Sequence, residues 1–285
     1  MTTIDTKSAS SVAAAVNGLY RDMFQRAMPP WIETLFRDIE RAYTGQHPDY
    51  QACDLRYHDL EHTLQVTLCF AHLMAGRYEA RVQPAVAPRQ FELGLAGALL
   101  HDIGYLKLLS DHSGTGAKYT YTHVMRSCAF AAGYLPTLGV TLSELEGVLG
   151  GIKCTGTSME VARMYFHDPV ERLIGYAIAT ADYLAQMAAP DYPDELEILF
   201  REFDESEDYV HLPAESRPFK SAHQLQENTP DFWKQVVMPK LDKHFDSMYR
   251  FLADPFPAGP NPYLEAIERN IAEVKRRLES PPKDS

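Results

Sequence analysis

Apolar residues along this chain recur at the three- and four-residue spacing of amphipathic helices, and almost nowhere at the alternate spacing of strands. The pattern predicts helices over Val12 to Met28 and Trp31 to Tyr43, parted by Pro29-Pro30, which cannot continue a helix. A loop from Thr44 to Arg56 follows, then a helix from Tyr57 to Ala75. After a polar connection, Arg77 to Pro88, another helix ends at His101-Asp102, and Gly104 just beyond supports that end. Asp111 to Tyr121 reads as a glycine-containing loop. Helices then cover Thr122 to Leu135, Leu142 to Lys153, Pro169 to Met187 and Glu195 to Phe203. Asp168 suits the cap of the Pro169 helix, and the proline suits its first turn, so His167-Asp168 reads as a helix start. Glu205 to Asn228, rich in charge, Pro and Ser, is expected to form an excursion or lid. Two amphipathic helices, around Asp231 to Leu252 and Tyr263 to Leu278, close the chain, with Pro255, Pro257, Pro260 and Pro262 as a stiff linker. The expected organisation is a disordered leader (residues 1–16), one all-α domain (17–252), and a linker and helix (253–285) that pack on or extend it.

Three helical segments carry side chains that an apolar face does not explain. They are Tyr57-His58-Asp59-Leu60-Glu61-His62, His101-Asp102 within LLHDIGY, and Asp182 within the apolar run GYAIATADYLAQM. An unpartnered buried carboxylate is costly, so Asp182 calls for a cation, with a cap or a buried salt bridge as the alternative. His58 and His62 are four apart and on a helix would share a face, while His101 and Asp102 converge only where their helix ends. Neutral imidazoles with carboxylate oxygens suit one or two divalent cations, such as Mn, Fe, Zn, Mg or Ni/Co. Asp59 or Glu61 could orient a neighbouring imidazole. Gly114 to Lys118 lacks the Walker A spacing, yet its amides and Lys118 suit an anion nest; Lys107 and Lys153 are further candidates. His211, His223 and His244 have no spacing that recommends them, and Phe200, Phe203, Phe232 and Trp233 read as packing.

The order His…His-Asp…Asp resembles the HD-domain superfamily of metal-dependent phosphohydrolases, and YHDLEH is similar to the YHNxxH segment of cyclic-nucleotide phosphodiesterases. The resemblance spans roughly Tyr57 to Met187 and implies an HD-domain helical bundle, here with additional N- and C-terminal helices. By that resemblance His62, His101, Asp102 and Asp182 hold the first metal, and Asp102 can bridge to a second. His58 matches the histidine that protonates the leaving oxygen. His123 stands where two-metal members place a further ligand, Arg126 one turn on is suited to a phosphate, and Asp111 and His112 are extra candidates. The chain departs from the phosphodiesterases after the His-Asp pair, where Ile103-Gly104-Tyr105 replaces their further histidine. It also lacks the GYP segment and the adjacent histidines of the cyclic-dinucleotide branch.

Composition narrows the partners. A formal charge of −12 argues against broad nucleic-acid binding, which needs a basic face. Four scattered cysteines suit reduced core thiols, and no run of about eighteen apolar residues suggests a membrane span. The N-terminal segment lacks the pattern of a signal peptide, so the cytoplasm is the expected compartment. The resulting expectation is a phosphodiesterase in which a metal-activated water attacks a small phosphorylated, nucleotide-like substrate. A phosphomonoesterase or nucleotidase, a di-iron oxygenase and a non-catalytic nucleotide sensor are the alternatives on the same fold. The C-terminal helices offer a surface for a homodimer.

Overall fold

The computed structural model describes residues 4–156 and 161–279. Within them lie α1 (Ala9–Phe24), α2 (Pro30–Tyr43), α3 (Leu60–Glu79), α4 (Pro88–Leu100) and α5 (His123–Tyr134). There follow α6 (Leu142–Lys153), α7 (Pro169–Ala188), α8 (Tyr192–Tyr209), α9 (Ala222–Phe232), α10 (Met238–Lys243) and α11 (Pro262–Glu279). No strand forms among the described residues; a single antiparallel bridge pairs Tyr50 with Leu108. The all-α expectation holds.

The centre of the molecule is the pair α3 and α7, which pack along each other and bury residues on most of their faces. Leu64, Phe70 and Leu73 of α3 and Ile178, Ala181 and Leu184 of α7 are fully buried. A helix apolar nearly all round can sit only at a core, surrounded by other elements. Here α1 and α4 cover α3, α6 and α11 cover α7, and α4 and α6 also touch each other. Ile267, Ile271 and Val274 form the buried stripe of α11, which faces α7, α8 and α9.

Several local expectations are met and several are corrected. Asp168 accepts from the Val170 amide at 2.7 Å and Pro169 opens α7, as its sequence requires. The disordered leader is a correction from Ala9 onward: α1 starts there, capped by Ser8, with Ala9, Val12 and Val16 buried. Alanine's high helix propensity, with a valine stripe facing the core, outweighs the low-complexity look of ASSVAAAV. Residues 1–3 of that leader and 280–285 of the C-terminal segment lie outside the described residues. The Asp231 to Leu252 helix is also corrected. Pro230 and Pro239 break its hydrogen-bond ladder into α9, a π turn at Trp233–Val237, α10 and a 3-10 turn at Met248–Leu252. The excursion is shorter than expected, because α8 runs to Tyr209 and α9 begins at Ala222. Arg217 ties that connection back to α8 through Asp204, Glu207 and Asp208.

Candidate metal centre

α3 begins at Leu60 rather than Tyr57, because Asp59 acts as its cap and accepts from the His62 amide at 2.9 Å. His62 therefore sits in the first turn, while His58 lies before the helix and leaves by a different direction. The expectation that the two share one helix face is corrected by this cap. α4 ends at Leu100 with His101 as its cap, and Asp102 leads into a 3-10 turn over Ile103–Tyr105. That break swings Asp102 to the same side as His101.

Gly104 is needed there for close approach, not for a left-handed conformation. A Cβ on it would lie 2.0 Å from the His123 carbonyl oxygen and 2.7 Å from the Ser127 nitrogen. Without a side chain, its amide donates to Ser127 Oγ at 2.9 Å and its carbonyl accepts from Arg126 Nε at 2.6 Å. The start of α5, with His123, is thereby pressed against the His-Asp turn.

Asp102 is the hub of the resulting cluster. Its Oδ2 lies 3.3 Å from His62 Nε2 and 3.2 Å from His101 Nε2, while its Oδ1 lies 3.5 Å from His123 Nε2. Asp182, projecting from α7, brings Oδ1 to 3.4 Å from His62 Nε2 and 3.7 Å from His101 Nε2. Ligands with bonds of about 2.1 Å to one cation stand roughly 3.0–3.4 Å apart; the His62–Asp102, His62–Asp182 and His101–Asp102 spacings match a shared ion, and the 3.5 and 3.7 Å spacings are wider. His62, His101 and Asp102 are all buried and form a group able to hold a metal.

The donor chemistry passes a second test. Nε2 of His62 and Nε2 of His101 are buried without a hydrogen-bond partner among the described residues. The carboxylate oxygens are near enough to attract charge but are not aligned to accept from either ring. His101 Nδ1 faces the Ala98 carbonyl at 2.8 Å and His123 Nδ1 faces that of Thr120 at 2.7 Å. With protons held on Nδ1, each ring turns an Nε2 lone pair toward Asp102. Burial disfavours a charged His62, yet Asp102 and Asp182 overcome it and raise its pKa to about 9; His101 is raised in the same way. Burial also opposes charge on the carboxylates, but the imidazoles hold Asp102 well below its usual range and Asp182 at about 2. A field that holds protons so firmly on two imidazoles is one that favours a cation in their place.

Beside this cluster is a second constellation. His58 Nδ1 lies 2.6 Å from Glu202 Oε2 on α8. The other oxygen of Glu202 accepts from the amides of Tyr57 at 2.9 Å and Arg56 at 3.2 Å. Tyr105 stacks between two imidazoles, 4.6 Å from His58 and 4.4 Å from His123 by ring centroids. Neither Glu202 nor Tyr105 stands out by spacing in the sequence. Glu202 did carry a signal: it continues the buried stripe of Tyr192, Leu196 and Leu199 along α8, where a carboxylate needs a partner.

The expected phosphate-binding residues face elsewhere. Lys118 is buried, and its ammonium contacts Asp111 Oδ1, the Ser113 carbonyl and Ser113 Oγ. Arg126 gives Nε to Gly104 and Nη2 to Leu106 at 2.7 Å, and stacks on Tyr119. Both cations are thus satisfied inside the fold, which corrects the expectation that they present charge to a substrate. The nest is likewise filled: Glu205 takes the Thr115 amide and hydroxyl, and Asp54 takes the Gly116 amide. Asp111 is engaged by Lys118 and Tyr119, and His112 is exposed. A cavity of about 270 Å³ borders Tyr57, His62, Gln186 and Glu195, but His101, Asp102 and His123 do not line it.

No family model matches the chain. No curated protein matches it in sequence. Among solved structures it is similar to the phosphodiesterase domain of Salpingoeca rosetta rhodopsin phosphodiesterase. The two share 15% identity with a TM-score of 0.59, over 96% of this chain and 90% of that one. The chain has a phosphodiesterase-domain fold. The match runs nearly end to end, so α1, α2 and the helices after α7 belong to that similarity along with the metal-centre segments. No helix among the described residues is long and apolar enough to cross a membrane.

Proposed function

We propose that this chain is a metal-dependent phosphodiesterase acting on a small, nucleotide-like phosphodiester. The observation that carries this reading is the His58–Glu202 pair standing beside a cluster of three imidazoles and two carboxylates, of which His62, His101 and Asp102 are buried. His62, His101, Asp102 and Asp182 would hold the first cation, and the separate orientation of the two Asp102 oxygens suits a second cation shared with His123. Bound there, divalent metal would activate water and offset the charge that grows on the phosphoryl oxygens.

The remaining work falls to the chain itself. Glu202 fixes the proton of His58 on Nδ1, so Nε2 is the atom that gives a proton to the departing alkoxide. Tyr105 on one face of the ring and Glu202 at its edge leave His58 little freedom to turn away. A phosphodiester needs such a donor, because its leaving alkoxide is strongly basic. An alkyl monoester would need the same donor, so the preference for diester cleavage rests on the similarity to a phosphodiesterase domain.

The test is metal content of the purified protein together with hydrolysis of bis-p-nitrophenyl phosphate and p-nitrophenyl phosphate. Wild type is compared with Asp102→Ala. Metal-dependent diester turnover, lost with the metal in Asp102→Ala, is the expected result. Monoester turnover alone would move the assignment to a phosphatase. Protein that takes up no divalent metal after reconstitution would end the reading.

A further inference from the structure

Tyr57, the residue before the proposed proton donor, is a buried junction between α3, α7 and α8. Its amide donates to Glu202 on α8 at 2.9 Å. Its ring lies 6.3 Å from that of His62 on α3 by centroids, tilted by 25°. Its hydroxyl crosses to α7 and donates to Gln186 Oε1 at 2.7 Å. A tyrosine buried to this degree needs a partner for its hydroxyl, and Gln186 supplies it.

Gln186 stands one turn after Asp182 and folds back along α7. Its Nε2 donates to the Asp182 carbonyl at 3.2 Å, on the residue whose carboxylate faces His62 and His101. The two contacts fix the direction of the amide. A carbonyl oxygen can only accept, so Nε2 turns to Asp182 and Oε1 is left for the tyrosine hydroxyl. Glutamate in this place lacks the donor, lysine the acceptor, and methionine both. Glu202 grips the Arg56 and Tyr57 amides together with the His58 ring, so the donor and α8 form one hydrogen-bonded unit. Tyr105 limits that unit in the direction of His123. The Tyr57–Gln186 bond is what ties it to Asp182.

We propose that Gln186 is a positioning residue for hydrolysis: acting through Tyr57, it holds His58 in register with the carboxylate of Asp182. In this role it touches neither the substrate nor the metal. The inference rests on the reading of the chain as a phosphodiesterase.

The test compares methyl phenyl phosphate with methyl p-nitrophenyl phosphate, two diesters that differ in the basicity of the leaving phenoxide. A proton donor held in place matters most for the more basic one. In Gln186→Met, kcat for the phenyl ester is expected to fall by about tenfold or more, with less than about a threefold loss for the nitrophenyl ester. Metal content is expected to stay unchanged. Tyr57→Phe removes only a hydroxyl, and is expected to reproduce that split even should Gln186→Met not fold. The double variant is expected to be no worse than either single one, because the same bond is broken in each. Gln65→Met alters the wall of the same cavity, but its amide reaches Glu61 and not Tyr57, so both rates are expected at the wild-type level. Equal losses on the two esters, losses that add in the double variant, or the same split in Gln65→Met overturn the proposal. Loss of metal in either single variant also overturns it, since Gln186 would then support the ligands and not the donor. Wild type that turns over neither ester counts against the phosphodiesterase reading, and crystal structures of metal-free wild type and Gln186→Met then decide the positioning claim. The His58 ring is expected to shift by about 1 Å relative to Asp182, and a ring that stays in place overturns the claim.

Discussion

Two buried polar clusters flank the 3-10 turn at Ile103–Tyr105, and they differ in one respect. In the loop cluster, Lys118 is met by Asp111 and Ser113, Lys107 by Asp54 and Gly114, and Thr115 by Glu205. Every charge there is answered from within the chain. In the candidate metal centre, two histidine nitrogens are buried with no hydrogen-bond partner among the described residues, while two carboxylates crowd the same space. A buried network that closes on itself is architecture. One that leaves lone pairs and negative charge over is a place for something to bind. The sequence offers both regions as candidate binding sites; the difference is visible only when each polar atom is followed to its partner.

The largest effect expected from breaking that contrast is at its hub. Asp102→Ala should remove bound metal and hydrolysis together, read by metal analysis and turnover, whereas Asp111→Ala in the loop cluster should leave both in place. Next is Glu202→Gln, which keeps the shape of the His58 partner but not its charge. Turnover of an alkyl phosphodiester, whose leaving alkoxide is strongly basic, should fall by about a hundredfold or more while metal content is unchanged. If Glu202→Gln instead sheds the metal, the division between acid and metal centre is wrong. Third, Gly104→Ala forces a Cβ into the backbone of α5. It should cost about 3 kcal/mol of stability, seen as a lower urea midpoint at constant slope. The smallest effect belongs to a surface pair. Arg89, with the Thr141 cap, holds the Glu144 carboxyl down to about 2 against the opposing effect of burial. Its folded value is below its unfolded one, so the contribution is full above the ordinary carboxylate range and is lost as pH falls through about 2. Glu144→Gln should therefore destabilise by no more than about 1 kcal/mol near neutral pH, with the difference closing under acid.

The fold was legible because helix periodicity, Asp168-Pro169 and the Pro29-Pro30 break are local signals, and the structure keeps all of them. His62, His101, Asp102 and Asp182 could be picked out for a related reason: each is a charge or imidazole where the pattern asks for an apolar residue. Lys118 and Arg126 could not be judged in that way. Whether a cation faces solvent, substrate or a carbonyl depends on contacts made by Asp111 and by the Gly104 and Leu106 backbone, which periodicity does not contain. Glu202 was missed because its partner is 144 positions away in the chain. Its register on the α8 stripe was the usable signal, obscured by neighbouring acids in FREFDESEDY. Pro230 and Pro239 carry the signal for the break of the Asp231 to Leu252 helix, although the apolar spacing runs on across it.

Tyr105 gives the site a built-in gauge. Its ring fills the space between His58 and His123 and is nearly parallel to both, so the two imidazoles stand apart by the thickness of one aromatic layer on each side. That spacing is set by a residue of the His-Asp turn and not by whatever ion occupies the centre. In the proposed mechanism, exchanging one cation for another would leave His58 where it stands.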